Sequence, residues 1–266
     1  MSDVTVGVRA DADGRPREFI RSVGRALELI EAFARVGPAA TVRDLAVATG
    51  MTRGTTRRFL ITLIELGYVE TDGRLFRLTP RILQLGLGFL QGLTFADLVL
   101  PRLRALVAEV DESSEAAVLD GRHVVYVAHV PSSAIMTIRV DIGRRLPAHA
   151  TATGKVLLAA LPDDELDRLL DRGPLEGYTE RTITDPDRLR AELAEARRVG
   201  YAMVDQELEP GVLAIAAPVR DRSGWPAGAI NLSTNSMRRS VEQLHELAEP
   251  LRRTAALVEA DLRGAR

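Results

Sequence analysis

Cysteine is absent from the 266 residues of this chain. Its absence excludes structural disulfides, thiolate zinc sites and cysteine nucleophiles. Runs of about 18 apolar residues are missing too, and the N-terminus has no apolar export segment, so neither membrane spanning nor secretion is supported. We therefore expect a cytoplasmic protein with no membrane partner, in which residues 1–19 form a disordered polar leader.

Lysine is almost absent, because Lys155 is the only lysine among 35 basic residues. This bias is more typical of a GC-rich genome than of an arginine-specific function, so it does not by itself indicate nucleic-acid binding. The distribution of charge is more informative. Residues 1–80 hold twelve arginines against ten acidic residues, and the positive charge gathers in "MTRGTTRRFL", residues 51–60.

Three helices are predicted in residues 20–80. Apolar residues at helical spacing follow Arg21 until Gly37 and Pro38 stop the first helix. Thr41 is placed to cap a short second helix that ends at Gly50, and Thr52 is placed to cap a third that ends at Gly67.

Two β-prone runs joined by Asp72 and Gly73 follow, a pair favoured in tight type I′ hairpins. Three helices and a hairpin predict a winged helix-turn-helix in residues 20–80, whose third helix enters the DNA major groove. The alternative is a solvated basic helix face. The predicted DNA-binding residues are Arg53, Thr55, Thr56, Arg57 and Arg58 of the third helix, and Arg74 of the hairpin.

Residues 81–94 predict a linker helix that is apolar on two stripes. Since both stripes must be buried, we expect the second to pack on a partner subunit and form a homodimer. A helix sandwiched inside one subunit is the alternative. Residues 95–266 mix strands and helices without βαβ repetition, which favours an α+β sensor-like domain.

Catalytic motifs are weak in this second part. The four histidines lack metal-ligand spacing, and "HATATGK" lacks both the first glycine and the final hydroxyl of a phosphate-binding loop. Asp205, Glu207 and Glu209 alternate along a predicted strand, but no nucleophile or metal motif accompanies them. We expect no catalytic residue, no metal and no cofactor, and we place Lys155 on the surface.

Several segments together resemble the IclR family of bacterial transcriptional regulators. They include "SVGRALELIEAF", "TVRDLAVATGMTRGTTRRFLITLIELGYVE", "LPAHATATGKVLLAAL" and "GYAMVDQELEPGVLAIAAPV". The resemblance spans about residues 20 to 262 and is strongest for the subgroup that controls protocatechuate, 4-hydroxybenzoate and β-ketoadipate pathways. It implies a winged helix-turn-helix, a dimerising linker helix and, in residues 95–266, a GAF-like domain that binds a small organic acid.

The resemblance also implies an effector pocket. By position, its residues are His149, Thr151, Thr153, Gly154, Asp205, Glu207, Ala214, Ala216, Asn231 and Ser233. The helix that starts near Thr153 would direct free backbone N–H groups at an effector carboxylate. A lone histidine such as His149 is as compatible with a structural role as with ligand contact.

The hypothesis is therefore an effector-responsive regulator of an aromatic acid pathway, binding operator DNA as a homodimer or a dimer of dimers. A hydroxybenzoate is favoured over β-ketoadipate as effector, because two nearby carboxylates would repel a diacid. The alternatives are a small-molecule hydrolase or isomerase with an accessory DNA-binding domain, and a purely architectural DNA-binding protein.

Overall fold

The computed structural model describes residues 19–85, 94–134 and 140–264. Residues 1–18 of the predicted leader, most of the predicted linker helix and the centre of the strand predicted in "AIMTIRVDIG" lie outside these ranges. The chain divides into two compact units, Met1–Gly92 and Leu93–Arg266. Within the described ranges, no helix is both long and apolar enough to cross a membrane.

The first unit contains three helices and a two-stranded hairpin. Its elements are α1 (Arg21–Val36), α2 (Val42–Thr49), α3 (Arg53–Glu65), β1 (Val69–Thr71) and β2 (Phe76–Leu78). One apolar cluster joins them, with Leu29 and Phe33 of α1 packed among Leu45 of α2 and Leu60 and Leu63 of α3. The helices therefore meet through the apolar faces that the sequence predicts.

Local capping fixes the ends of α2 and α3. The Thr41 hydroxyl accepts a hydrogen bond from the Asp44 N–H, and the Asp44 carboxylate accepts one from the Thr41 N–H, which is a capping box. Gly50 ends α2 with φ +66°, and the Thr52 hydroxyl caps α3 by accepting from the Thr55 N–H. The predicted starts of these two helices are confirmed.

The hairpin between β1 and β2 differs from the predicted tight turn. Its loop spans residues 72–75, and the Asp72 carboxylate accepts hydrogen bonds from the backbone N–H groups of Arg74 and Leu75. A type I′ turn would need positive φ at both central residues, whereas Gly73 has it and Asp72 does not. The side chain of Asp72 thus organises a longer loop, and the type I′ prediction is wrong.

The second unit is built on one six-stranded sheet. Its strands are β3 (Ser113–Asp120), β4 (His123–Val130), β5 (Arg145–Pro147), β6 (Ala202–Asp205), β7 (Val212–Arg220) and β8 (Pro226–Asn235). The order across the sheet is β5-β4-β3-β8-β7-β6, with every neighbouring pair antiparallel. Its helices are α4 (Thr94–Val110), α5 (Ala152–Ala160), α6 (Asp163–Leu170), α7 (Pro186–Val199), α8 (Val241–His245) and α9 (Ala248–Gly264).

Helices cover both faces of this sheet. An apolar cluster that includes Leu103 of α4 and Leu251 of α9 packs on one face. A second cluster, including Leu157 of α5 and Leu193 of α7, packs on the other. The α+β prediction is confirmed, although the closing helix predicted from Val241 to Leu262 is two helices, α8 and α9.

Helix α5 lies at the centre of its layer, with eight of its nine residues buried. The helix can lie close to the turn that precedes it because residue 154 is glycine. A Cβ atom there would lie 2.1 Å from the carbonyl oxygen of Ala148, in the 3₁₀ turn Ala148–Ala150 that precedes the helix. The sequence "AHATATG" therefore folds back on itself before the helix begins.

We expect Gly154→Ala to destabilise the second unit strongly, because the new methyl group meets backbone that cannot rotate away. Gly54→Ala is the matched control. A Cβ at Gly54 in α3 meets nothing within 4 Å, so that substitution should leave stability unchanged or raise it by roughly 0.5 to 1 kcal/mol. Denaturant unfolding of both variants checks this, and equal effects would contradict the proposed close packing.

Candidate functional site

The third helix presents a basic face to solvent. Arg53, Arg57 and Arg58 are exposed and Thr55 is half-buried. They point outward because Thr56, Leu60 and Leu63 occupy the buried side of the same helix. Arg74, in the hairpin loop, is exposed as well. Guanidinium groups at the start of a helix can contact phosphates or guanine edges.

The sequence predicts Thr56 as a DNA-binding residue, and the structure corrects that prediction. Its side chain is fully buried, and its hydroxyl donates to the carbonyl oxygen of Thr52 at 3.0 Å. Thr56 therefore holds the first turn of α3 in place and is not available to DNA.

The second unit contains a small cavity between the sheet and α5. Its floor is formed by side chains on one face of the sheet, which lie side by side because residues two apart on a strand share a face. They are Glu115, Tyr126, Val204, Ala214, Asn231 and Ser233. The cavity volume is about 70 Å³.

The roof of the cavity is the start of α5. Ala150, Thr151 and Ala152 line it, and the Thr151 hydroxyl caps the helix by accepting from the Gly154 N–H at 3.2 Å. Within the described residues, the backbone N–H groups of Ala152 and Thr153 donate to no other group. A helix N-terminus with unused N–H groups favours an anion.

One side of the cavity carries charge. Arg144 lines it and is exposed, and its guanidinium makes no hydrogen bond or ion pair with any described residue. Glu209 and Leu208 line the cavity from the loop that follows β6. The cavity thus combines an unpaired cation, a helix N-terminus and a largely apolar wall.

Four of the ten predicted pocket residues lie together around this cavity: Thr151, Ala214, Asn231 and Ser233. Three others lie next to it without lining it. Thr153 is fully buried, with its hydroxyl 3.2 Å from that of Tyr126. Gly154 packs against the turn that precedes α5, and Ala216 is buried in the apolar core.

His149, predicted as a pocket residue, does not line this cavity. The His149 ring is buried against the loop before α7, where its Nε2 lies 2.9 Å from the carbonyl oxygen of Glu176 and its ring centroid 6.0 Å from that of Tyr178. Burial lowers the pKa of His149 below its ordinary value, against the opposing effect of the hydrogen bond to Glu176. This histidine therefore supports a loop in its neutral form.

Asp205 and Glu207 also lie away from the cavity. Asp205 pairs with Arg181 at the surface. Gln206 has φ +60° and the strand ends at Asp205, so the predicted alternation of carboxylates breaks down. Glu207 turns inward to meet the Lys155 ammonium, with 2.5 Å between Oε1 and Nζ. The predicted repulsion of a diacid by these two carboxylates therefore loses its basis.

Lys155 is fully buried, which corrects the expectation that it lies on the surface. Its ammonium contacts Glu207 and, at 3.4 Å, Glu192 of α7. Burial raises the pKa of the Glu207 carboxyl, and the nearby Lys155 charge opposes that rise. The ion pair ties α5 to the loop that carries Leu208 and Glu209 into the cavity.

Sequence reasoning missed four polar residues of the cavity: Glu115, Tyr126, Arg144 and Glu209. A carboxylate at the head of the apolar run "EAAVL" was a possible signal, but charged residues are also common where strands begin. Burial raises the pKa of the Tyr126 phenol, which therefore stays protonated at neutral pH. In the described ranges, no cluster of three or more histidine or acidic side chains could hold a metal ion.

Comparison with known proteins bears on both units. The model of the IclR helix-turn-helix domain matches residues 22–73, and that of the C-terminal domain of the bacterial transcriptional regulator IclR matches residues 88–260. This chain belongs to the IclR family. Members of that family are transcriptional regulators that bind DNA through the first of these domains.

Individual IclR-family relatives align over most of this chain. The Pca regulon regulatory protein of Pseudomonas putida is 35% identical over 88% of this chain and 81% of its own length. A candidate transcriptional regulator from Rhodococcus sp. RHA1 is 47% identical, with a TM-score of 0.78 over 92% of this chain and 98% of its own. An IclR homologue from Microbacterium hydrocarbonoxydans, solved with 4-hydroxybenzoate, is 27% identical with a TM-score of 0.79 over 91% and 99%.

We expect Lys155→Met to cost about 3 to 5 kcal/mol of stability, because it leaves the Glu207 carboxylate buried without its cation. The double variant Lys155→Met, Glu207→Leu should recover much of this loss, since apolar groups can replace a buried ion pair. Urea unfolding of the two variants measures both effects. If Lys155→Met unfolds at the same urea concentration as the wild type, the ion pair contributes nothing to stability.

Proposed function

We propose that the protein is an effector-responsive transcriptional regulator of an aromatic acid pathway. The observation that carries this proposal is the cavity under α5, which offers the start of that helix and the Arg144 guanidinium, unpaired among the described residues, to a compact acid. The relationship to the Pca regulon regulatory protein and to the homologue solved with 4-hydroxybenzoate supports an aromatic acid as effector.

The DNA-binding surface that we propose is the exposed face of α3 and the hairpin loop. Arg53, Arg57 and Arg58 supply charge where the helix would enter the major groove, and Thr55 lies among them. Arg74 lies in the loop at the tip of the hairpin, from which it can reach the DNA backbone. Phosphate contacts would give affinity, and the arginines nearest the helix start would read bases.

Dimerisation is part of this proposal. Ile20, Val23 and Leu27 keep 64%, 54% and 51% of their surfaces exposed, although they lie on or directly before one helix face of α1. A second copy of the chain, or a dimer of dimers, would cover such a face and match the two-fold symmetry of operator DNA. A regulator of this kind works on the chromosome, so we place it in the cytoplasm.

We further propose that the acid is bound and not converted. The buried Lys155 and Glu207 neutralise each other, so neither offers a free acid or base. Incubation of the purified protein with hydroxybenzoates, followed by chromatography, tests the hydrolase or isomerase alternative. Turnover of any of these acids would favour that alternative.

Arg57→Ala should weaken binding to the DNA upstream of the protein's own gene at least about tenfold, because a bidentate base contact contributes about 1 to 3 kcal/mol. Arg53→Ala should act in the same direction. Arg188→Ala, which removes an equally exposed arginine from the second unit, is the matched control. Gel-shift titration measures all three, and equal affinities for Arg57→Ala and Arg188→Ala would refute the assignment.

Calorimetric titration of the full chain with 4-hydroxybenzoate or protocatechuate should show binding. Replacing Arg144 with Met should weaken it, because the carboxylate loses its cation while the apolar part of the side chain is kept. Arg104→Met, at another exposed position, is the control. If only aliphatic diacids bind, the aromatic assignment is wrong, whereas the place of the chain in its family is unaffected.

A further inference from the structure

The cavity floor contains a fully buried carboxylate. Glu115 is 0% exposed and lies on β3, directly opposite His129 on β4. Burying a carboxylate costs free energy unless other groups donate hydrogen bonds to it. The Ser233 hydroxyl lies 3.1 Å from both carboxylate oxygens, and Nδ1 of His129 lies 3.1 Å from Oε1. Side chains from three neighbouring strands thus hold the Glu115 carboxylate at the cavity floor.

This arrangement leaves Glu115 with unused capacity to accept hydrogen bonds. An ionised carboxylate has about four lone-pair sites, whereas the described residues give it one hydroxyl and one imidazole nitrogen. Asn231 does not add a third donor: its side-chain oxygen accepts the Glu115 backbone N–H at 2.8 Å, and its amide nitrogen makes no hydrogen bond to the Glu115 carboxylate. A hydrogen-bond donor inside the cavity would complete the set.

The cavity therefore has two unlike ends. The roof offers the N–H groups at the start of α5, which favour an anion. The floor offers the Glu115 carboxylate, which attracts a donor and repels a second anion. A molecule that fits between them carries a carboxylate at one end and a hydroxyl at the other.

We propose that Glu115 determines effector specificity by accepting a hydrogen bond from a ring hydroxyl opposite the acid group. This inference rests on the proposed aromatic acid effector and assigns the residue that selects hydroxylated acids. A binding site that is built around a hydrogen bond to a hydroxyl discriminates strongly against an analogue without one, because the buried acceptor is then left unpaired. Ser233 and His129 keep the carboxylate in place for this contact.

The test compares 4-hydroxybenzoate with 4-fluorobenzoate, which is similar in shape but has no O–H. We expect the wild-type chain to bind the hydroxylated acid at least about tenfold more tightly, the ratio that corresponds to about 1.4 kcal/mol. Glu115→Gln should reduce this preference towards unity, because a neutral acceptor makes a weaker bond than a charged one. Glu246→Gln, at an exposed carboxylate that does not line the cavity, should retain it.

The outcomes separate the two proposals. If the wild-type chain binds neither acid, the aromatic effector class and the role of Glu115 are both overturned. If it binds both acids equally, or if Glu115→Gln keeps the full preference, only the role of Glu115 is overturned. Ser233→Ala provides a second test if Glu115→Gln does not fold. Loss of the hydroxyl that orients the carboxylate should also lower the preference for 4-hydroxybenzoate. An unchanged preference in Ser233→Ala would count against the proposal.

Discussion

The close packing of α5 on the sheet is the constraint on which the second unit depends. The helix has almost no exposed residue, and it approaches the turn before it so closely that position 154 has room only for glycine. The same approach brings the start of the helix over the strands. The roof and the floor of the cavity are therefore set by one packing contact.

Two buried carboxylates have different roles in this layer. Glu207 is neutralised by Lys155, and together they join α5 to the loop beside the cavity. Glu115 contacts no lysine or arginine among the described residues and is held by a hydroxyl and an imidazole at the cavity floor. Since an unpaired buried charge is costly, the first arrangement supports the fold, whereas the second is suited to a ligand that donates a hydrogen bond.

The first unit depends on local interactions to a greater degree than the second unit does. Thr41 and Thr52 start their helices through hydrogen bonds within three residues, and Thr56 bonds back to Thr52. These contacts fix which side of α3 is buried and leave the arginines outside. A DNA-binding surface on this unit therefore follows from capping and apolar spacing, with little help from distant parts of the chain.

The sequence by itself determined the elements whose causes are local. Helix caps, apolar periodicity and the positions of most strands along the chain were predictable because each depends on residues within a few positions of one another. Only the tertiary structure decided where isolated polar residues lie and which groups they contact. Lys155 is buried and Glu115 lies at the cavity floor because strands and helices distant in sequence pack around them. The partner of a buried charge depends on how distant strands and helices pack together, which local sequence patterns do not show.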